Sequence, residues 1–386
     1  MSGDLDAAWP VAPGRVLNMS TGPVEVSRSV LDAQLADLLT PHSDAFWALH
    51  DETSEILGRT LRTRHRVLMM HGSIRTGIDL ALGNWIRPGM SVLSIQNGYW
   101  GELIAAWAER YGAKVERLVH GPLEPVDVNR VAETLRRQSF DMVAVVHVET
   151  NSGLVNPISE IGRLVAATDA LYFVDTACSA GAMPVETDAW GIDIQTTGSH
   201  KCLASIPGLA IVTASPKAWE RLRPDSTMGS YFDFRAWWTH SVERPDVPPF
   251  TQPTTLVLAL RAALREIDAI SIERWWAIHR DIADRFMAQM REAGFRFLID
   301  DSAVAMQRDF YSDTVMAVRY PDRVVDARFR KMLLDSYGIF VIGNIGDFAG
   351  KSFRVGLMSP PQLQASNLFG ALSAFRQAAT SPLTWS

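Results

Sequence analysis

The sequence predicts an α/β fold, with a large unit on a mostly parallel sheet flanked by helices and a smaller C-terminal α+β unit. Three observations predict it. Short apolar runs alternate with stretches of helical spacing from about residue 66 to 214. Between residues 254 and 294 the pattern becomes one long helical stretch, and a few strand-like pieces follow it. A chain of 386 residues has room for two or three domains and a substantial core.

The elements follow in order. Residues 1–19 read as an N-terminal arm, rich in Pro and Ala over 1–15. From about 28 to 62 the spacing is helical, as in SRSVLDAQLADLL and ETSEILGRTLR. The apolar runs are RVLMM (66–70), SVLSI (91–95), KVERLV (114–119), MVAVVHV (142–148), LYFVD (171–175) and LAIVTA (209–214). Helical segments at 76–87, 101–112, 127–137 and 158–167 separate them, which is the rhythm of a sheet covered on both faces. Strand-like pieces at 314–319, 339–342 and 353–357 precede a last helix near 361–378. We expect the large unit to span 20–255 and the small one 256–386.

Composition excludes several functions. With 37 basic and 43 acidic residues the net charge is −6, which speaks against a nucleic-acid binder. Two cysteines make neither a disulfide scaffold nor a four-ligand zinc site, and they fit a reducing, cytoplasmic setting. No metal site is expected. MSGDLDAAWPVAPGR lacks the apolar run of a signal peptide, and no stretch is long and apolar enough to span a membrane.

Four pieces carry chemistry. His71-Gly72-Ser73-Ile74-Arg75-Thr76-Gly77 follows a strand and opens a helix. Such a turn aims free N–H groups and the positive end of the helix dipole at an anion, although a plain helix cap has the same composition. Asp175 ends LYFVD, where open α/β sheets bind ligands; the bland alternative is a turn cap. Lys201, in TTGSHKCLASIPGLA, lies between small polar residues and an apolar run, a setting for a nucleophilic amine as well as for a surface lysine. Arg354, in FRVGLM, is an arginine inside an apolar strand. It needs a buried anion, either a substrate carboxylate or a protein acid.

Together these pieces resemble the fold-type I pyridoxal-phosphate enzymes, specifically the class V aminotransferases. Within that class the chain is similar to the alanine–glyoxylate, serine–glyoxylate and pyridoxamine–pyruvate aminotransferase group. The resemblance runs from about Met19 to Ala374. It rests on STGPVEVS (20–27), FVDTACSAGAMP, TTGSHKCLASIPGLA and FRVGLM.

The resemblance implies a role for each matching residue. Lys201 would form a Schiff base with pyridoxal 5'-phosphate and shuttle protons at the substrate Cα. Asp175 would keep the pyridine nitrogen protonated. Trp100 would stack on the ring, and Thr150 would contact the cofactor's phenolic side. Ser73, Ile74 and Arg75 would hold the phosphate, with His200 beside them. Thr251 would reach the phosphate of a neighbouring subunit, which implies a homodimer with shared active sites. Arg354 would bind the α-carboxylate, with Gly22 at the substrate. The implied reaction moves an amino group from a small amino acid to a 2-oxo acid such as glyoxylate or pyruvate. Pyridoxamine–pyruvate transamination is one alternative; a lyase, aldolase or racemase on the same scaffold is another.

Some positions depart from the pattern. Ile74 stands where glycine is common and leaves less room over the phosphate. Arg75 replaces a small or imidazole side chain. Ser73 replaces the glutamate of the pyridoxamine–pyruvate enzyme, and Gly343-Asn344-Ile345-Gly346-Asp347 lacks its second arginine. Residues 203–386 contain no cysteine, which speaks against the related cysteine desulfurases. Cys178 and Cys202 read as small packing residues. Tyr231, Phe232 and the pair Trp237-Trp238 read as a segment near the site's mouth or as dimer packing. The pair Trp275-Trp276 reads as packing of the long helix against the small unit.

Overall fold

The computed structural model describes residues 16–37, 39–222, 230–244 and 250–386. The central sheet comprises β1 (Arg66–His71), β2 (Ser91–Gln96), β3 (Lys114–Val119), β4 (Met142–Val146), β5 (Leu171–Asp175), β6 (Ile194–Gly198) and β7 (Leu209–Ala214). Its order is β1-β7-β6-β5-β4-β2-β3. β7 runs antiparallel to both neighbours, and the other pairings are parallel, so the sheet is mostly parallel as predicted.

Alternation along the strands shows why the fold needs helices on both sides. Val143 and Val145 of β4 face one core, whereas Met142, Ala144 and Val146 face the other. Helices α1 (Asp44–Thr60), α4 (Val128–Arg137) and α5 (Ile158–Val165) cover the first face with Leu57, Val131 and Ile161. The second face is covered by α2 (Ile74–Trp85), α3 (Tyr99–Arg110) and α6 (Phe234–Glu243), through Trp85, Ile104 and Trp237. Burial on both faces is what continuous apolar strands such as LYFVD require.

Strand β6 escaped the sequence reading because IQTTG looks polar. All five of its residues are buried. Hydrogen bonds satisfy the buried amide: Gln195 Nε2 donates to Thr176 Oγ1 at 3.0 Å, and Thr187 Oγ1 donates to Gln195 Oε1 at 3.0 Å.

The long helical stretch is two helices, α7 (Thr254–Asp268) and α8 (Ile272–Glu292). Ser271, at φ +74°, caps the second by accepting from the Arg274 N–H. The break lets the helices serve different cores. Val257, Leu260 and Leu264 of α7 join the first sheet core. Trp275, Trp276 and Phe286 of α8 join a third core with Phe329, Phe353 and Phe375. That core draws on β8 (Val315–Arg319), α9 (Asp326–Tyr337), β10 (Ser352–Gly356) and α10 (Ala365–Thr380), and β9 (Ile342–Gly343) pairs beside β10. The three strands form an antiparallel sheet in the order β8-β10-β9. Residues 1–15 of the expected arm lie outside the described residues. Leu17–Asn18, next along the chain, pairs in parallel with Ile339–Phe340.

Candidate active site

One cavity of about 390 Å³ lies at the C-terminal ends of β4 and β5, between the sheet and β9–β10. Gly22, Ser73, Ile74, Arg75, Trp100, Thr150, Asp175, His200, Lys201 and Arg354 all line it. The sequence-predicted residues therefore converge, with the exception of Thr251. That residue is exposed and does not line this cavity.

Asp175 is the last residue of β5, paired in register with Val146 and Thr196. It is buried, and one carboxylate oxygen accepts from the Ala177 N–H at 2.9 Å. Burial pushes its carboxyl up to about 6, partly offset by that N–H and by Lys201. Lys201 follows β6 in the turn that leads to β7. Its Nζ donates to Cys178 Sγ at 3.1 Å and lies 5.9 Å from the Trp100 ring centroid. Gly22 crosses the lysine stem at φ +111°; a Cβ there would come within 2.9 Å of Lys201 Cγ. Only glycine permits that approach with that backbone.

Ser73 caps α2, and its N–H donates to Thr76 Oγ1 at 3.1 Å. The first-turn N–H groups of α2 have no partner within the helix, and this end of the helix faces the cavity. Ser73 and Arg75 are exposed in the single chain. The Arg75 guanidinium lies 5.0 Å from the Trp100 ring centroid. Ile74 is buried toward the sheet, where a Cβ on Gly198 would meet its Cγ1 at 2.5 Å. Its bulk packs in part against Gly198, while the residue also lines the cavity. Burial lowers His200 to about 4, and Lys201 adds to the effect.

Arg354 sits in β10, the central strand of the small sheet, and is 8% exposed. Its Nε and Nη2 donate to the Gly343 carbonyl at 3.3 and 3.0 Å. Burial holds it below its ordinary value, partly offset by Cys178. Ile342 and Ile345 line the cavity beside it.

Two residues that support the cavity lining from behind were missed. Glu149 is fully buried and accepts from the Trp100 and Gly101 N–H groups at 3.4 and 3.0 Å, fixing the start of α3. Gly98 makes room for it, since a Cβ there would lie 2.6 Å from Glu149 Cδ. Burial pushes Glu149 up to about 7, and Asp175 adds to this. An acid between apolar β4 and the small residues of TNSG was the available signal. Cys178, read as packing, touches Lys201 and also lies 3.0 Å from Thr150 Oγ1. The aromatic segment, by contrast, packs within the chain. Trp237 stacks on Phe250 at 4.5 Å, and Tyr231 Oη lies 3.1 Å from His71 Nδ1. None of Tyr231, Phe232, Trp237 and Trp238 lines the cavity.

These features fit pyridoxal phosphate. A buried carboxylate, an amine, a helix N-terminus and a buried arginine share one cavity. Thr21 Oγ1 and His200 Nδ1, on cavity-lining residues, are buried without hydrogen-bond partners among the described residues. Comparison with known proteins gives the same reading. The family model described as Aminotransferase class-V matches residues 40–351. An uncharacterized aminotransferase of Methanocaldococcus jannaschii is 34% identical over 89% of this chain and 87% of its own. Pyridoxamine–pyruvate transaminase of Mesorhizobium japonicum is 28% identical over 91% and 88%. The crystal structure of an alanine–glyoxylate aminotransferase from Nostoc sp. superposes with a TM-score of 0.88 at 28% identity, covering 96% of this chain and 97% of that one. Fold, cavity and relatives agree that the chain belongs to the class V aminotransferases and is a pyridoxal-phosphate-dependent enzyme.

Proposed function

We propose that this enzyme moves an amino group from a small amino acid to glyoxylate or pyruvate. The observation that carries the reading is one cavity lined by Lys201, Asp175 and a buried Arg354. Relatives named for glyoxylate and pyruvate support the acceptor.

Bound pyridoxal phosphate supplies a carbonyl for an amine and a ring that takes up the electron pair of a substrate carbanion. The chain's residues do the rest. Lys201 Nζ moves the proton at the substrate Cα. The Asp175 carboxylate would hold a proton at the ring nitrogen. Trp100 would cover a face of the ring, and Thr150 would meet its phenolic side. Ser73, Ile74, Arg75 and His200 would hold the phosphate. The Arg354 fork grips the substrate carboxylate, beside Gly22.

Ile345 lines the cavity in the stretch where a pyridoxamine–pyruvate enzyme carries its second arginine, which favours an ordinary amino acid as donor. We further propose a cytoplasmic homodimer with shared sites. Support comes from the exposure of Ser73 and Arg75 at the phosphate end, and from Thr251, exposed and away from its own cavity. No helix among the described residues is long and apolar enough to cross a membrane. For the domain organisation, the division of the cores supports a changeover between Leu264 and Ile267, downstream of 255.

The test is to mix the cofactor-loaded protein with a panel of amino acids and follow its visible absorbance. Donors convert the spectrum to that of bound pyridoxamine phosphate, and glyoxylate or pyruvate restores it. Release of product with no such cycling would contradict a transaminase.

A further inference from the structure

Cys178 lies in the turn after β5, in an apolar cluster with Val24, Val148, Ala182, Cys202 and Met358. A residue needed only for packing there has no use for a polar atom. Yet the sulfur makes two polar contacts, 3.1 Å to Lys201 Nζ and 3.0 Å to Thr150 Oγ1. Among the described residues, Sγ is the one side-chain hydrogen-bond partner of Nζ. The contacts chain together chemically. An Nζ–H donates to Sγ, and the S–H is then free to donate to Thr150 Oγ1.

We propose that Cys178 is a positioning residue for the Lys201 amine: its thiol holds Nζ whenever that nitrogen is free of cofactor and links it to Thr150. A lysine side chain has four rotatable bonds and loses its place once Nζ is released. Asp175 makes no hydrogen bond to Nζ among the described residues; its carboxylate accepts from the Ala177 N–H. A carboxylate would bind the amine tightly; a thiol is a weak partner, so the amine leaves it at little cost.

The proposal rests on Lys201 being the reactive amine, which borohydride mapping tests separately. Its own test uses cofactor-free protein, so that its failure is distinguishable. Wild type, Cys178→Ala and Cys178→Ser are acylated with limiting amine reagent across a pH series. Modification of Lys201 is quantified by peptide mass spectrometry against exposed Lys351. In the alanine variant Nζ loses its acceptor, so acylation of Lys201 relative to Lys351 rises about 3-fold or more across the series. Serine restores a donor-acceptor atom and keeps the wild-type ratio. In the loaded enzyme, the alanine variant loses about 3- to 10-fold in kcat with KM unchanged. Cys178→Val fills the space without a polar atom and gives the same readout if the alanine variant folds poorly. Unchanged Lys201 profiles in the apolar variants, or equal shifts in alanine and serine, would overturn the proposal.

Discussion

The Arg354 guanidinium rests on the Gly343 carbonyl through two hydrogen bonds, at 3.3 and 3.0 Å, and pairs with no carboxylate among the described residues. A buried cation that lacks a protein acid is costly to keep. The cost is offset if a substrate carboxylate takes the place of the acid.

Replacing Arg354 by alanine is therefore expected to weaken substrate binding by about 2–5 kcal/mol, seen as a large rise in KM for amino acid and keto acid alike. Arg354→Lys keeps the charge but loses the fork, so it is also impaired. The absorbance of the bound cofactor stays unchanged in both. Loss of folding or of cofactor would instead mark Arg354 as structural.

In the proposed role, Asp175→Asn removes the charge that would hold a proton at the ring nitrogen. Its expected result is a folded, cofactor-binding protein whose kcat is down by orders of magnitude. Near-native turnover would reduce Asp175 to a cap for the Ala177 N–H.

At Gly22 a methyl group would meet Lys201 Cγ at 2.9 Å and Cε at 3.2 Å, on a backbone at φ +111°. Gly22→Ala displaces the lysine stem or strains the turn by about 1–3 kcal/mol. We expect kcat to fall at least about tenfold, with a lower melting temperature. Steady-state kinetics and thermal unfolding check both.

Glu149 gives a pH dependence. Burial raises it from 4.5 to about 7, so between those values the folded chain holds a proton that the unfolded chain has released. Stability from this group is thus present at low pH and lost as pH rises through about 7. His147 and His279, lowered to about 3 by burial, slope the opposite way, so the comparison needs a variant. Glu149→Gln removes the carboxyl slope alone. Between pH 5 and 8, wild type should lose on the order of 3 kcal/mol relative to it in urea unfolding of cofactor-free protein. Parallel stability curves would contradict a buried, proton-holding Glu149.

What the sequence made legible follows from how local each signal is. Asp175, Lys201 and Arg354 stand in short segments whose neighbours betray a strand end, a turn and an apolar strand. Strand β6 was hidden because burial of Gln195 is made good by Thr176 and Thr187, partners 19 and 8 residues away. Glu149 and Cys178 were hidden for the same reason: their meaning lies in contacts with Trp100 and Lys201 that only the fold creates. The break before α8 depends on one serine cap inside an otherwise uniform helical pattern. Thr251 acquires its proposed role only beside a second chain.

The central claim is that Lys201 is the amine that meets the cofactor. The chain has only five lysines, Lys114, Lys201, Lys217, Lys331 and Lys351, so a label can be assigned without ambiguity. Cofactor-loaded protein is reduced with borohydride, digested and mapped by mass spectrometry. The account predicts the phosphopyridoxyl group on the peptide containing Lys201, and its loss in Lys201→Ala. Label on any other lysine, or the same label in Lys201→Ala, would contradict it.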